Sequence, residues 1–220
     1  MSDHTDTSTS TSDSIARASR KRDPERRERI LAAAAQLFSK HGYATVNLND
    51  IGAEAGIVGS GIYRHFQSKP AILVEFFDRV IDRLVADAEQ ALRDGDGGRA
   101  TLRQLVESQV RFTIDERHVY QVYVNESRSL PEPDLRLLRW KQRHYVDLWR
   151  IALRAARPEV GDDEAQVLIQ ATINGIHSIL RYRSPLPQGE LSRLLIETSL
   201  RTLGVDAEGG AQTEHVAAAR

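Results

Sequence analysis

The chain has 220 residues, no cysteine, and 30 Lys and Arg against 31 Asp and Glu, for a net charge of −1. This length accommodates one domain or two small ones around a buried core. The lack of cysteine excludes disulfides, Cys-ligated zinc and a Cys nucleophile. The longest apolar runs, such as residues 71–74, are far shorter than the roughly 20 residues of a membrane span. Residues 1–14 lack the features of a signal peptide, so we expect a soluble, cytoplasmic protein.

The charge is unevenly distributed along the chain. Residues 15–69 contain ten basic and five acidic side chains, a net charge of +5, whereas residues 1–14 and 70–220 each carry −3. A basic block at one end of a chain is typical of phosphate binding. A solvated charged face is the alternative interpretation.

The amino-terminal third predicts one long helix and then a short one. Asp23 and Pro24 supply an N-cap and a first helical residue, and apolar side chains recur at helical spacing until Gly42 ends the helix. Asn47 and Asp50 form a cap-like pair that opens the short helix.

Gly56 separates this short helix from another at about residues 59–65. The spacing is that of a helix-turn-helix, in which the second helix enters the major groove of DNA. Short helices joined at glycine are also common in α-helical bundles, so the pattern alone is a weak indication.

The rest of the chain is also helical by pattern. Ser68 is placed to cap a long helix, and residues 94–98 form a Gly-rich linker. We predict helices at about residues 68–93, 99–115, 117–128, 133–156, 162–183 and 189–203. The 133–156 helix has two apolar stripes, which predicts a central helix packed on both sides. These stripes consist of Leu135, Leu138, Tyr145, Leu148 and Ala152, and of Trp140, His144, Leu148 and Ile151.

Four segments form an ordered pattern: ILAAAAQLF at 30–38, GYATV at 42–46, DIGAEAGI at 50–57 and IYRHFQSK at 62–69. The pattern resembles the TetR family of transcriptional regulators over about residues 24–75, and beyond that only the helical layout matches. The resemblance implies an all-α fold, with a three-helix DNA-binding head and a C-terminal ligand-binding and dimerisation bundle. It also implies a homodimeric repressor that binds a palindromic operator in double-stranded DNA and is released by a small effector.

The resemblance divides the chain into four parts. They are a disordered tail with a basic arm (1–22), a helix-turn-helix domain (23–67), a ligand-binding and dimerisation domain (68–204) and a second disordered tail (205–220). The basic arm contains Arg17, Arg20, Lys21 and Arg22, which either follow the DNA backbone or minor groove or form a solvated tail.

DNA-contacting roles follow for side chains of the head. Tyr63 and Lys69 match the family's phosphate-contacting tyrosine and lysine, with packing in the head and a solvated position as the respective alternatives. His65 is either a phosphate neighbour or a spacer beside Phe66. Arg64 is our first choice for base specificity, because its forked donors suit guanine, and a phosphate contact is its main alternative.

The other predicted DNA contacts lie where the short helices begin. Thr45 and Asn47 are candidates for phosphate contacts, although capping alone would explain Asn47. The start of the second short helix departs from the family pattern, since its cap is apolar and its glycine and hydroxyl positions are exchanged. Besides Arg64, the candidates for reading the bases are Asn49, Gly59 and Ser60, and Gly61 is a further predicted DNA-binding residue.

Effector-binding candidates lie on three predicted helices, although aromatic residues at helical spacing more often belong to a core. The stretch 120–130 and the Arg-rich stretch 135–143 resemble actinobacterial family members that respond to acyl or steroid-derived CoA thioesters. An acyl-CoA-like effector is therefore one prediction, and a solvated arginine face is the alternative. The candidates are Tyr120, Tyr123, Glu126, Ser127, Trp140, His144, Asn174 and His177.

The last two helices are the predicted dimer interface, through a stripe with small residues on each. The stripes are Leu168, Thr172, Gly175 and Ile179, and Leu191, Leu194, Leu195 and Thr198. The chain shows no metal-binding, hydrolase-elbow or phosphate-loop motif, so we expect neither an enzyme nor a cofactor. The alternative function is a helical ligand-binding dimer without sequence-specific DNA binding.

Overall fold

The computed structural model describes residues 24–57, 59–95 and 98–205. This part of the chain contains eight α-helices and two 3₁₀ helices and no strand, as the all-α prediction requires. The α-helices are α1 (Pro24–His41), α2 (Leu48–Glu54), α3 (Lys69–Asp94), α4 (Arg99–Asp115), α5 (Arg117–Glu126), α6 (Glu132–Ala156), α7 (Asp162–Arg181) and α8 (Gln188–Thr202). The basic arm, the cap at Asp23, Val58 and residues 206–220 lie outside the described residues.

Local sequence signals determine where the helices begin. Ser68 Oγ accepts a hydrogen bond from Ala71 N at 3.2 Å and caps α3, and Pro70 lies in its first turn. Asn47 and Asp50 form a reciprocal capping box at α2. The predicted caps are confirmed at both helices.

The second short helix of the head is a 3₁₀ helix, Gly59–Arg64, and not an α-helix. A Cβ at Gly61 would lie 2.8 Å from Ile57 Cγ2, so the close approach of the preceding turn requires glycine there. Gly61 thus permits the packing of this segment against the preceding turn.

Two predicted helices are shorter than expected. Helix α5 ends at Glu126, and a 3₁₀ turn, Ser127–Ser129, follows it. Helix α7 ends at Arg181, and the backbone of Tyr182 is extended (φ −116°, ψ 126°).

Helix α6 is the centre of the body, and it packs against α3, α4 and α7. Trp149 and Leu153 on its inner side are fully buried. The prediction that both apolar stripes are packed is wrong for the second stripe, since Trp140 is 58% exposed and Ile151 is 57% exposed. A sequence pattern shows that a stripe is apolar but does not supply the neighbour that would cover it.

The head is attached to the body through α1, which packs mainly on α5 and more lightly on α3. Arg79 of α3 pairs with Glu28 of α1 at 2.5 Å and with Glu75 at 2.7 Å. Arg27 of α1 pairs with Glu75 as well. Among the described helices, none combines the length and hydropathy that a membrane crossing requires.

Candidate DNA-binding head and sensor core

The helix-turn-helix is held together by a small apolar centre. Ile51 of α2 and Ile62 of the 3₁₀ helix are fully buried, and Phe66 is 2% exposed. Between the two helices, Gly56 has φ +68°, a left-handed conformation that favours glycine. The turn lets the apolar residues of α2 and the 3₁₀ helix face each other. The polar residues of both elements therefore face solvent.

Four of the predicted DNA contacts are exposed and unengaged. Tyr63 is 48% exposed, and Ser60, Arg64 and Asn49 are also exposed. Within the described part of the chain, none of their side chains has a hydrogen bond or ion pair. Their donors and acceptors are therefore available to an external partner without breaking an internal contact.

Thr45 and Asn47 are exposed but have internal roles. Thr45 Oγ1 donates to the carbonyl oxygen of His41 at 2.6 Å and thereby closes the end of α1. Asn47 Oδ1 accepts from Asp50 N at 3.0 Å in the capping box. The capping that would explain Asn47 without DNA is thus present, and its amide NH₂ group remains as a donor.

His65 is half-buried beside the ion pairs of the head. Its carbonyl oxygen accepts from Arg27 Nη1 at 2.9 Å, and the Arg27 guanidinium lies 4.3 Å from the centre of the Phe66 ring. Because Arg27 also pairs with Glu75 of α3, it joins the end of the 3₁₀ helix to the body.

Lys69, at the start of α3, points back at the turn between α1 and α2. Its Nζ lies 2.7 Å from the carbonyl oxygen of Tyr43, 3.3 Å from that of Ala44 and 2.9 Å from that of Val46. The ammonium also lies 4.3 Å from the centre of the Tyr43 ring. The structure gives this predicted phosphate contact a full set of internal partners.

The body contains a buried polar network that sequence reasoning found only in part. Gln109 of α4 is fully buried, and its Nε2 donates to Tyr120 Oη at 2.9 Å and to Thr113 Oγ1 at 3.2 Å. Gln109 Oε1 accepts from Tyr145 Oη at 2.5 Å. Tyr120 Oη lies 2.6 Å from His177 Nε2. Four helices, α4 to α7, therefore contribute to one hydrogen-bonded cluster.

The missed residues of this network are Gln109, Thr113 and Tyr145. Gln109 lies among Leu102, Leu105 and Val110 on the buried face of α4. A lone glutamine on an apolar helical face is the signal that would have identified it, because an amide is buried only with hydrogen-bond partners.

The network is neutral. Because Tyr120 Oη accepts from Gln109, we assign its proton to the bond with His177 Nε2, which makes that nitrogen an acceptor. Burial, and secondarily the nearby Arg181 charge, lower the pKa of His177 from 6.5 to about 4. Burial also raises the pKa of Tyr123 to about 12 and that of Tyr120 well above its usual value.

The structure brings three of the eight predicted effector contacts together. The rings of Tyr120 and Tyr123 are 5.5 Å apart, and those of Tyr120 and His177 are 4.8 Å apart. Asn174 is exposed on the outer face of α7.

The other four predicted effector contacts lie away from the network. Glu126 Oε1 lies 3.5 Å from Tyr43 N in the head, and Ser127 lies in the 3₁₀ turn after α5. Trp140 is exposed on α6, whereas His144 is half-buried and its Nε2 lies 3.3 Å from Glu89 Oε1 of α3. Their rings are nearly parallel at 13° and 6.1 Å apart.

An open groove of about 680 Å³ lies between α6 and α7. Trp140, Arg139 and Arg143 line it on the α6 side. Neither arginine has a partner within the described residues, and both are exposed. Gln142 also lines the groove, and its Nε2 donates to Tyr123 Oη at 3.0 Å, so this side chain connects the groove to one of the buried tyrosines.

The groove and the network offer hydrogen bonds, aromatic faces and positive charge, but no arrangement for metal binding. Among the described residues, no group of three or more His, Asp or Glu side chains could hold a metal ion.

An exposed helix-turn-helix is typical of DNA-binding proteins. Here it is joined to a separate helical body that has a buried polar network, so the fold is that of a DNA-binding protein with a head and a body. Two family models match successive parts of the chain: "Bacterial regulatory proteins, tetR family" at residues 30–76 and "Tetracyclin repressor-like, C-terminal domain" at residues 95–184. The chain belongs to the TetR family.

Two curated relatives differ in the regulation that their names state. The transcriptional activator FasR of Mycolicibacterium smegmatis is 32% identical over 111 residues, 50% of each chain. The transcriptional repressor KstR2 of Rhodococcus jostii is 32% identical over 106 residues, 48% of this chain and 52% of its own. The chain spans about half the length of these two relatives.

A solved structure confirms the fold. The crystal structure of AibR in complex with isovaleryl coenzyme A and operator DNA superposes with a TM-score of 0.68 at 18% identity. The match covers 79% of this chain and 97% of that chain.

Proposed function

We propose that this protein is an effector-controlled transcriptional regulator, a repressor that binds a palindromic operator as a homodimer and leaves it when a small molecule binds the body. The observation that carries the proposal is the exposed, unengaged polar face of the head, in particular Tyr63 and Arg64. Residues 23–67 would form the DNA-binding domain and residues 68–204 the sensor and dimerisation domain. The matches to an activator and to a repressor leave the repressor mode to be tested.

The test of DNA binding is a gel-shift titration against the region upstream of the protein's own gene, repeated over a series of salt concentrations. A regulator forms a complex that depends on a palindrome and weakens steeply with salt, because phosphate contacts release counterions. Equal affinity for scrambled DNA, or no complex, would support the alternative of a ligand-binding dimer without specific DNA binding. A reporter gene behind the selected operator then separates repression from activation.

The dimer would form through α7 and α8. The outer face of α7 contains small exposed residues, among them Ala171, Gly175 and Ser178, and Leu194 of α8 is 47% exposed. Two members of the predicted stripe, Thr172 and Ile179, instead face the chain's own core. The face available to a second copy is therefore rotated from the predicted one, and Asn174 lies on it.

Sedimentation of an α7 variant tests this interface. Ala171→Arg introduces a charge into the proposed interface and is expected to give a monomer, because a buried unpaired charge strongly disfavours association. Ala86→Arg, at an exposed position of α3, is the matched control and should sediment like wild type. Identical sedimentation of both variants and wild type would refute this interface.

The effector would be an acyl thioester of coenzyme A. The exposed Trp140 suits a nucleotide, whose base stacks on an aromatic ring. Arg139 and Arg143, which have no partner among the described residues, suit its phosphates, which accept from guanidinium groups. The acyl chain would pass Gln142 toward the buried tyrosines. AibR, a fold neighbour, was solved with such a thioester, which supports the choice of this ligand class.

The chain has two tryptophans, and only Trp140 lies in the groove, since Trp149 is fully buried. Titration with coenzyme A and with acyl-CoA thioesters of increasing chain length should quench Trp140 fluorescence, and the thioesters should bind more tightly because the acyl chain is buried. The variant Arg139→Ala/Arg143→Ala should lose this response, whereas Arg103→Ala/Arg111→Ala on α4 should retain it. Equal responses of both double variants would mean that the arginines of the groove are solvated and do not bind the ligand.

A further inference from the structure

We propose that a cavity between the head and the body is a binding site for a small apolar carboxylate, with its carbon chain between α1 and the body and its carboxylate at Arg83. The cavity has a volume of about 270 Å³. Among the described residues, none of the predicted DNA or effector contacts lines this cavity, so the site is distinct from those of the proposed function.

The cavity lies where the head meets the body. Helix α1 packs mainly on α5 and more lightly on α3, and the gap lies beside α1, between α3 and the end of α4. Apolar side chains of all four helices line it, and most of them are buried. They are Leu31 and Ala32 of α1, Phe76 and Val80 of α3, Phe112 of α4 and Val119 of α5. A molecule in this cavity would therefore contact the head and the body at once.

The volume and the apolar wall favour a ligand with a short hydrocarbon chain. An apolar cavity of about 150 Å³ binds benzene, so the cavity here has room for roughly eight to ten carbon atoms. Each methylene group that is buried strengthens binding about fourfold. The cavity would stay open in the proposed dimer, because that dimer would form through α7 and α8.

Four charged side chains line the cavity, and Arg83 is the one suited to an anion. Arg79 is already paired with Glu28 at 2.5 Å. Arg83 makes no hydrogen bond within the part of the chain that the structure describes. Its ion-pair partner Glu116 is 3.9 Å away, beyond hydrogen-bond distance, and its guanidinium lies 5.4 Å from the centre of the Phe112 ring. A carboxylate can therefore accept two hydrogen bonds from the Arg83 fork without breaking one.

Isothermal titration calorimetry of the full chain tests the ligand class. The ligands are octanoate and, as compounds with the same chain length, octan-1-ol and octylamine. We expect octanoate to bind at least about tenfold more tightly than either, because only a carboxylate accepts charge-assisted hydrogen bonds from Arg83. Hexanoate should bind about tenfold more weakly than octanoate, because it buries two fewer methylene groups. Absence of octanoate binding, or octan-1-ol binding as tightly, would overturn the proposal. Tighter binding of octylamine would do the same, because the head group would then lie at Glu116.

Charge variants assign the binding to Arg83. Arg83→Gln should bind octanoate about tenfold more weakly than wild type does. Arg103→Gln is the matched control, because Arg103 of α4 is paired equally loosely, with Glu107 at 3.8 Å, and does not line the cavity. Equal affinities of these two variants would contradict a carboxylate at Arg83.

A variant that fills the cavity tests the site without changing its charge. Ala32→Trp places an indole in the cavity and should abolish octanoate binding, and the exposed position of Ala32 is compatible with folding. Gln36→Trp, also exposed on α1 but outside the lining, should bind octanoate like wild type. Circular dichroism first confirms that both variants are folded. Octanoate binding by Ala32→Trp at wild-type affinity would refute the site.

Hydrogen exchange locates the ligand without any variant. Octanoate should slow amide exchange in α1 and at the end of α4, because it adds contacts to both segments. Unchanged exchange in α1, or slower exchange confined to α6 and α7, would place octanoate elsewhere and overturn the proposal. None of these measurements uses DNA, so this proposal and the proposed function can fail separately.

Discussion

The head and the body use polar side chains in opposite ways. On the head, Ser60, Tyr63 and Arg64 face solvent with no internal partner in the described part of the chain. In the body, Gln109 and Tyr120 are buried and hydrogen-bonded to one another. These three side chains of the head are therefore available to a partner, whereas Gln109 and Tyr120 of the body already bond to one another.

Under the proposed function, the contrast predicts that the site in the body, and not the head, must rearrange on binding. DNA can dock on the head at little internal cost, apart from the ordering of a few side chains. An effector that reaches the buried tyrosines must replace at least one bond of the network, for example that between Gln142 and Tyr123 at 3.0 Å. A ligand shifts a conformational equilibrium only through such differences in contacts between two states. Since Glu126 is at the end of the helix that carries Tyr120 and Tyr123, a shift of α5 would reach the head at Tyr43.

The largest expected effect comes from breaking the network of the body. Gln109→Leu leaves the buried hydroxyl of Tyr145 without its acceptor and removes the amide donor of Tyr120, and should lower the free energy of unfolding by about 2 to 4 kcal/mol. Urea denaturation measures this loss, with Gln104→Leu at an exposed position of the same helix as the control. If Gln109→Leu lowers the free energy of unfolding by less than Gln104→Leu does, the network does not stabilise the body. The contrast between head and body would then be refuted.

The second effect concerns pH. The unfolded chain binds a proton at His177 below about pH 6.5, whereas the folded protein keeps His177 neutral down to about pH 4. The stability that this residue contributes is therefore complete above pH 6.5 and is lost as the pH falls toward 4, by about 3 kcal/mol in total. In the His177→Asn variant, the free energy of unfolding should change less between pH 6.5 and 4 than in wild type. This expectation holds whatever the stability of the variant at pH 7. The half-exposed His144, changed to Asn, provides the comparison, and equal profiles for the two variants would contradict a buried neutral His177.

The smallest effect lies on the exposed head. Arg64→Ala should reduce discrimination at one base pair of the operator by about 1 to 3 kcal/mol, with no loss of folding stability, because the side chain bonds to no residue that the structure describes. Binding to a library of operators with single substitutions measures this preference. Arg79→Ala removes a guanidinium that is already paired with glutamates and should leave base preference unchanged. Uniform weakening across the library for Arg64→Ala would make Arg64 a phosphate contact.

Particular residues show how far sequence reasoning reaches. The caps at Asn47 and Ser68 and the glycine at position 56 were predictable, because each acts through the backbone within a few residues of itself. The 3₁₀ form of residues 59–64 was not predicted, and neither was the close approach of Gly61 to the Ile57 side chain. Lys69 was assigned to DNA by resemblance, and only the structure shows the three carbonyls that surround its ammonium.

The sequence by itself determined the helical segments, the helix-turn-helix and the family, since capping, apolar periodicity and the spacing of short motifs are local properties of the chain. It also determined the basic character of the head, which the net charge of −1 conceals. Only the tertiary structure decided which predicted effector residues meet, why Trp140 is exposed and where Lys69 points. Those outcomes depend on contacts between helices that are distant in sequence, and no local pattern encodes which side of a helix finds a neighbour.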